Sequence, residues 1–298
     1  MAGSHARQRG RQSLPLLIGS RPTPKALSHD AKGLFVFHWA FMAIATLNFH
    51  SPSLQKQTTC NVILPEVEGH DGPFPVFYLL HGLSDDYSMW QRKTSIGRYV
   101  QMLPLIVVMP DGGRGFYTDA LEGAAYESAV VKDLIPFVDR MFHTVSERRG
   151  RAIGGLSMGG YGAIKLALKY PELFVCANGQ SGAYGFAHGL WRADEAEFER
   201  ITGPDPVGGP NDCFALAQKF APPTNRSKLP ALRLDCGTSD FLIDHNRAFH
   251  EHLDELGITH EYLEAPGAHD WAYWDKHVQG ALRFHAKHLG ISKPKLRA

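Results

Sequence analysis

Cysteine is scarce in this sequence, with four residues among 298. Cys60, Cys176, Cys213 and Cys236 show no C-x-x-C spacing, so a disulfide framework is excluded and buried free thiols are expected. Charge of one sign is also missing. Lys plus Arg number 31 against 30 Asp plus Glu, a net charge of +1. Such a balance gives no strong field for nucleic acid or an anionic membrane, and neither partner is expected. The apolar run Leu34 to Leu47, broken by His38, falls short of the roughly 20 residues a spanning helix needs. Repeats and low-complexity tracts are absent. What remains is 44% apolar and 20% charged, which rules out wholesale disorder. A chain of this length can bury roughly three quarters of its unfolded surface as one large α/β domain.

Residues 1–41 read differently from the rest. Arg7, Arg9, Arg11, Arg21, Lys25 and Lys32 make the segment basic, and hydrophobic periodicity is missing up to Gly33. Two readings follow. Residues 34–45 can serve as a signal-peptide core with Ala43-Ile44-Ala45 as the small-residue cleavage site, which implies a secreted chain. Alternatively Met42 is the natural start and residues 1–41 are a disordered or non-native extension, which implies a cytoplasmic chain. The long approach before the apolar run favours the second.

From residue 44 the pattern is regular. Ala45–Phe49 and Thr58–Leu64 read as strands, and Val76–Leu80 and Leu105–Met109 as strands buried on both faces. Arg151–Leu156, Ala231–Cys236 and His260–Leu263 are further strands. Helices are expected over Asp86–Met102, 126–142, Met158–Lys169, Leu242–Gly257 and Trp271–Leu289. This alternation predicts an α/β fold, a mostly parallel central sheet with helices on both faces. Tyr184 to Pro230 breaks the rhythm and reads as a lid-like insertion.

Gly155-Leu156-Ser157-Met158-Gly159 matches G-x-S-x-G, with a strand running in and a helix leaving. A serine hydroxyl is a poor nucleophile until a base takes its proton. His269 stands in a loop after a strand, at the mouth of the last helix. Asp240 lies in the loop after the preceding strand and can orient that imidazole. Asp235 is the rival acid but falls within a strand. Oxyanion donors are expected from the N–H of Met158, at the helix start, and of Leu83, after His81-Gly82. Other signals are weaker. Ser53-Leu54-Gln55-Lys56 joins two strands without a partner motif. His250 and His252, two residues apart, fall on different helix faces, so no metal site is expected.

These segments together, Leu79-Leu80-His81-Gly82-Leu83, Gly155 to Ala163, Cys236 to Leu242 and Gly267 to Trp271, resemble the esterase D-type branch of α/β-hydrolases. They are most similar to tributyrin-esterase-like carboxylesterases, in a branch shared with S-formylglutathione hydrolases, feruloyl and acetylxylan esterases, and mycolyltransferases. The resemblance implies an α/β-hydrolase domain over residues 42–298 and a serine carboxylesterase of short-chain acyl esters working without a cofactor. It implies a triad of Ser157, Asp240 and His269, oxyanion donors Leu83 and Met158, and a small-molecule ester as partner. Phe116-Tyr117-Thr118-Asp119 matches the family's loop beside the acyl pocket. Phe116, Tyr117, Tyr161 and Trp191 are the expected substrate-binding residues. Acyl transfer, hydrolysis of S-formylglutathione or feruloyl esters, and a catalytically silent binding protein are the alternatives, and a homo-oligomer is left open.

Overall fold

The computed structural model describes residues 41–67, 69–189 and 195–291. Residues 1–40 lie outside it, and with them nearly all of the N-terminal extension and the first part of the signal-core reading. Trp191 lies outside as well. Eight strands form one sheet: β1 Phe41–Ser51, β2 Lys56–Glu66, β3 Val76–Leu80, β4 Ile106–Pro110, β5 Arg151–Leu156, β6 Cys176–Gln180, β7 Ala231–Gly237 and β8 Glu261–Ala265. Their order is β1-β2-β4-β3-β5-β6-β7-β8. β1 and β2 pair antiparallel and β2 meets β4 antiparallel, while every later pairing is parallel.

The fully apolar β3 and β4 sit inside the sheet and alternate between its faces. Val76, Tyr78, Leu80, Ile106 and Val108 enter one core, and Phe77, Leu79, Val107 and Met109 the other. The second core is covered by α1 Met89–Lys93, α2 Ile96–Val100 and α9 Trp271–His288. The first is covered by a π-helical stretch Ala129–Leu134, which continues the short α3 Tyr126–Ser128, and by α4 Ile135–Met141, α5 Met158–Lys169, α7 Cys213–Gln218 and α8 Ile243–Glu255. α6, Glu195–Thr202, belongs to the segment between β6 and β7. None of the described helices is long and apolar enough to cross a membrane. All four cysteines are free and buried.

Three elements differ from the sequence reading. The helix expected over 86–102 is two short helices, because Thr94 bonds back to the Trp90 carbonyl and Ser95 N–H is taken by Asp275 Oδ1 at 2.8 Å. The helix over 126–142 widens to π geometry before Pro136, whose ring nitrogen has no hydrogen to continue the ladder. β6 completes the sheet although its C-terminal part, Asn178-Gly179-Gln180, is polar and small.

Candidate active site

Five loops reach the same edge of the sheet, at the C-terminal ends of β3, β4, β5, β7 and β8, where ligands gather in parallel α/β sheets. β5 ends in Ser157, which adopts φ 52° and ψ −118° between strand and α5. For a residue with a Cβ this is strained backbone, and its surroundings hold it there. Ser157 N–H donates to the Gln180 carbonyl at 2.9 Å, and its carbonyl accepts from Tyr161 and Ala183 N–H. The turn also needs glycine on either side. A Cβ at Gly155 would meet the Gly159 backbone at 2.6 Å, and one at Gly159 would meet the Leu80 carbonyl at 2.5 Å.

His269, after β8, places Nε2 3.0 Å from Ser157 Oγ. Its Nδ1 lies 3.0 and 2.9 Å from the two oxygens of Asp240, which follows β7. Burial pushes the Asp240 carboxyl up. The hydrogen bonds from His269, from Leu242 N–H at 2.8 Å and from Ser181 outweigh that and hold it below its ordinary value. Asp240 is therefore an acceptor, so His269 Nδ1 carries a proton and Nε2 presents its lone pair to the serine hydroxyl. Trp274 stands edge-on to the imidazole at 4.9 Å, Phe241 packs at 4.4 Å, and Trp274 Nε1–H donates to Ser181 Oγ. Asp235, the rival acid, is fully buried in β7 and makes no bond to His269.

The first N–H of α5, that of Met158, has no partner within its helix. Leu83 lines the same cleft as Ser157, on a loop held from behind. Gly112 N–H donates to His81 Nε2 at 2.8 Å, which leaves the ring proton on Nδ1 facing the Gly82 carbonyl at 2.8 Å. Tyr117 Oη–H donates to the His81 carbonyl, and Trp90 Nε1–H to that of Leu80. Gly82 packs closely against the elbow: a Cβ there would meet Leu156 Cδ1 at 2.6 Å and push that side chain aside.

Two cavities share Leu83. A cleft of about 320 Å³ is lined by Leu83, Asp85, Ser157, His269, Trp271 and Trp274, among others. A tight apolar slot of about 10 Å³ lies between Leu83, Phe116, Phe186, Phe198 and Ile201, closed at its rim by Arg114 and Glu197. These two form a bidentate ion pair at 2.7–2.8 Å that ties the β4 loop to α6. Phe116 stacks on Phe186 at 3.9 Å and lines the slot, as the sequence suggests. Tyr117 and Tyr161 line neither cavity, contrary to expectation. Both are fully buried: Tyr117 φ is 49°, which turns its ring under the oxyanion loop, and Tyr161 Oη–H donates to the Asn211 carbonyl.

Sequence reasoning missed the supports of this site. Lys165, fully buried on α5, donates to the Tyr117 carbonyl at 2.5 Å, to Thr118 Oγ1 and to Glu127 at 2.9 Å. It fixes Phe116 and Tyr117, both at positive φ. Ser181, also at positive φ, braces Asp240 and Trp274. No motif marks either residue.

Residues 51–285 match the Esterase family. An acetyl esterase of Caldicellulosiruptor saccharolyticus is 32% identical over 83% of this chain and 99% of its own length. The substrate-bound structure of fluorophosphonate-binding serine hydrolase F of Staphylococcus aureus superposes with a TM-score of 0.75 at 31% identity, covering 82% of this chain and 98% of that one. An S-formylglutathione hydrolase of the same organism gives 0.74 at 31%, covering 82% and 99%. With a Ser-His-Asp array at the C-terminal edge of a mostly parallel sheet, and a family match across most of its length, the chain belongs to the Esterase family and is a carboxylic ester hydrolase of the α/β-hydrolase fold.

Proposed function

We propose that Ser157, His269 and Asp240 hydrolyse short-chain acyl esters of uncharged alcohols through an acyl-enzyme. The observation that carries this is the unbroken chain from the Asp240 carboxylate through both imidazole nitrogens to Ser157 Oγ, at the head of a helix whose first N–H, that of Met158, has no partner within the helix. Ser157 Oγ attacks the ester carbonyl carbon and its proton passes to His269 Nε2. The oxyanion is received by the N–H groups of Leu83 and Met158. Collapse breaks the ester C–O bond, His269 gives the proton to the leaving oxygen, and the acyl group stays on Ser157. Water then attacks, with His269 taking and returning a proton, and the acid leaves. Asp240 keeps the tautomer and stabilises the imidazolium.

The geometry divides the substrate. The leaving oxygen takes its proton from His269 Nε2, so the alcohol occupies the cleft on the imidazole side. The acyl chain then points past Leu83 toward Phe116, into a slot with room for about one water. Each buried methylene gains only ~0.8 kcal/mol, whereas overfilling a packed site costs about 1–3 kcal/mol. An acetyl methyl fills such a slot, and each methylene beyond it, up to butyryl, has to displace the side chains that line it. The cleft carries Asp85 and Asp270 and no lysine or arginine among its described lining residues. That sign disfavours the carboxylates of glutathione and weighs against an S-formylglutathione hydrolase. The test is kcat/KM for p-nitrophenyl esters from C2 to C12, with S-formylglutathione alongside. A maximum at C8 or longer, or a preference for S-formylglutathione, overturns the assignment of substrate. Transfer of the acyl group to an added alcohol in preference to water overturns hydrolysis.

A further inference from the structure

Three side chains outside the active site converge where α8 meets β8. His250 and Asp254 stand one turn apart on α8, and His260 comes just before β8. His252 shares no face with His250, but the residue four positions on does. His260 Nδ1 lies 2.8 Å from the Ile258 carbonyl. A carbonyl only accepts, so Nδ1 holds the proton and Nε2 has a lone pair. That lone pair faces His250 Nδ1 at 2.7 Å, so His250 donates through Nδ1. Its other nitrogen, Nε2, is then also a bare lone pair, and it faces Asp254 Oδ2 at 3.6 Å. In a neutral ring two electron-rich atoms thus confront each other, a conflict relieved by a second proton on His250 or by a metal cation in its place. Arg247, on the same helix, is committed to Glu264 through two bonds of 2.8 Å.

We propose that His250, Asp254 and His260 form a binding site for a borderline divalent cation, with zinc the best fit. Two imidazoles and a carboxylate are a donor set suited to zinc, and three protein ligands leave a fourth position for water. The rings are already oriented. His250 stacks on Tyr262 at 4.0 Å and 14°, and the buried His260 ring is fixed by its carbonyl partner, the support that metal-bound histidines commonly have. Zinc–nitrogen bonds of about 2.0–2.1 Å at a tetrahedral angle place the two nitrogens about 3.3 Å apart, so the half-buried His250 has to swing out by about 0.6 Å. The Nδ1 proton of His250 moves through solvent to Nε2, where water takes its hydrogen bond. The exposed Asp254 leaves Nε2 and turns a carboxylate oxygen to the metal; ligand atoms of the three residues already lie within 4.8 Å of one another. The ion fastens the last turn of α8 to the head of β8. Asp240 precedes α8 and His269 follows β8, so the site staples the two elements that carry the acid and the base, without touching the reacting atoms.

The test is zinc titration of chelator-treated, dialysed protein, read by competition with a chromophoric chelator and by thermal unfolding. One equivalent is expected to bind and raise Tm, while ester turnover stays the same with and without zinc. His250→Gln and Asp254→Asn, both at accessible positions, are expected to weaken binding at least ten-fold and abolish the Tm rise while leaving the zinc-free Tm nearly unchanged. His260→Gln is expected to do the same, but its burial makes it the less clean variant. Absence of a zinc-dependent Tm rise in the wild type, or a rise that survives in both accessible variants, overturns the proposal.

Discussion

Among the described residues two chains of nucleophile, imidazole and side-chain oxygen stand out, and only one of them opens on a cleft. Ser157, His269 and Asp240 form the first. Cys176, His285 and Asn178 form the second: Cys176 Sγ lies 3.1 Å from His285 Nδ1, and His285 Nε2 lies 2.7 Å from Asn178 Oδ1. The distances are alike, and so is the order of groups. The surroundings are opposite. The second chain sits along β6 against α9, with cysteine and histidine fully buried and the Phe77 ring beside the imidazole at 4.3 Å. Burial pushes His285 down to about 3 and the Cys176 thiol far up, so thiol and imidazole both stay neutral. Asn178 brings no charge to stabilise an imidazolium. In the first chain an ionised Asp240 faces the imidazole, and His269 is 17% exposed beside an open cleft. Hydrogen-bond geometry is shared by both; a charged partner and a path for substrate belong to one.

The sharpest way to test that contrast is to remove each nucleophile. Ser157→Ala is expected to cost ~10⁴ or more in kcat with the fold intact, as for other triad members. A folded variant that keeps a tenth of wild-type turnover would defeat the assignment. Exchanging acid for amide makes the first chain resemble the second. Asp240→Asn is expected to lower kcat by ~10⁴, because the amide permits the wrong tautomer, whereas Asp235→Asn keeps most of it. Inactivity of a folded Asp235→Asn protein would reverse the two roles.

Asp235 offers a third, thermodynamic test. Burial lifts its carboxyl from 3.8 to about 7, against the pull of Arg233. Between those values the folded state holds a proton that the unfolded state has released. Its contribution to stability is therefore complete below 3.8 and is lost as pH rises through about 7. An asparagine there has no proton to lose. The denaturation midpoint of Asp235→Asn is expected to gain on the wild type from pH 4 to 7 and to hold level above. A gap independent of pH contradicts a buried, protonated Asp235. The smallest effect is expected from Cys176→Ala: turnover within two-fold of wild type and a loss of about 1–2 kcal/mol from the vacated volume and lost bond. Alkylation of Cys176 in the native enzyme would show that the second chain is open after all.

The sequence made legible what local chemistry dictates. Val76–Leu80 and Arg151–Leu156 are strands to the residue, and Met158–Lys169 is a helix to the residue. Each pairs an apolar run with a glycine or proline stop. Chain order and loop position were enough to single out Ser157, Asp240 and His269, which the fold brings together across 112 and 29 positions. β6 escaped notice because its polar C-terminal part serves neighbours: a Cβ at Gly154 would collide with Asn178, and the Gln180 carbonyl holds Ser157. Lys165 carries no motif, and its part shows only when α5 is seen to be buried on every side. Tyr117 reads as a pocket ring until its backbone is seen to turn inward. Those assignments depend on long-range packing, which spacing along the chain does not encode.

Ser157 has both its N–H and its carbonyl bonded to the chain at the end of β6, and β5 and β6 lie within the sheet rather than at its edges. The nucleophile therefore has no melting behaviour of its own. Its elbow comes apart only when the central strands separate, as part of the most cooperative unit of the molecule. Heat inactivation should then coincide with global unfolding, and any earlier fading of activity must begin at His269, whose loop hangs from β8, the last strand of the sheet.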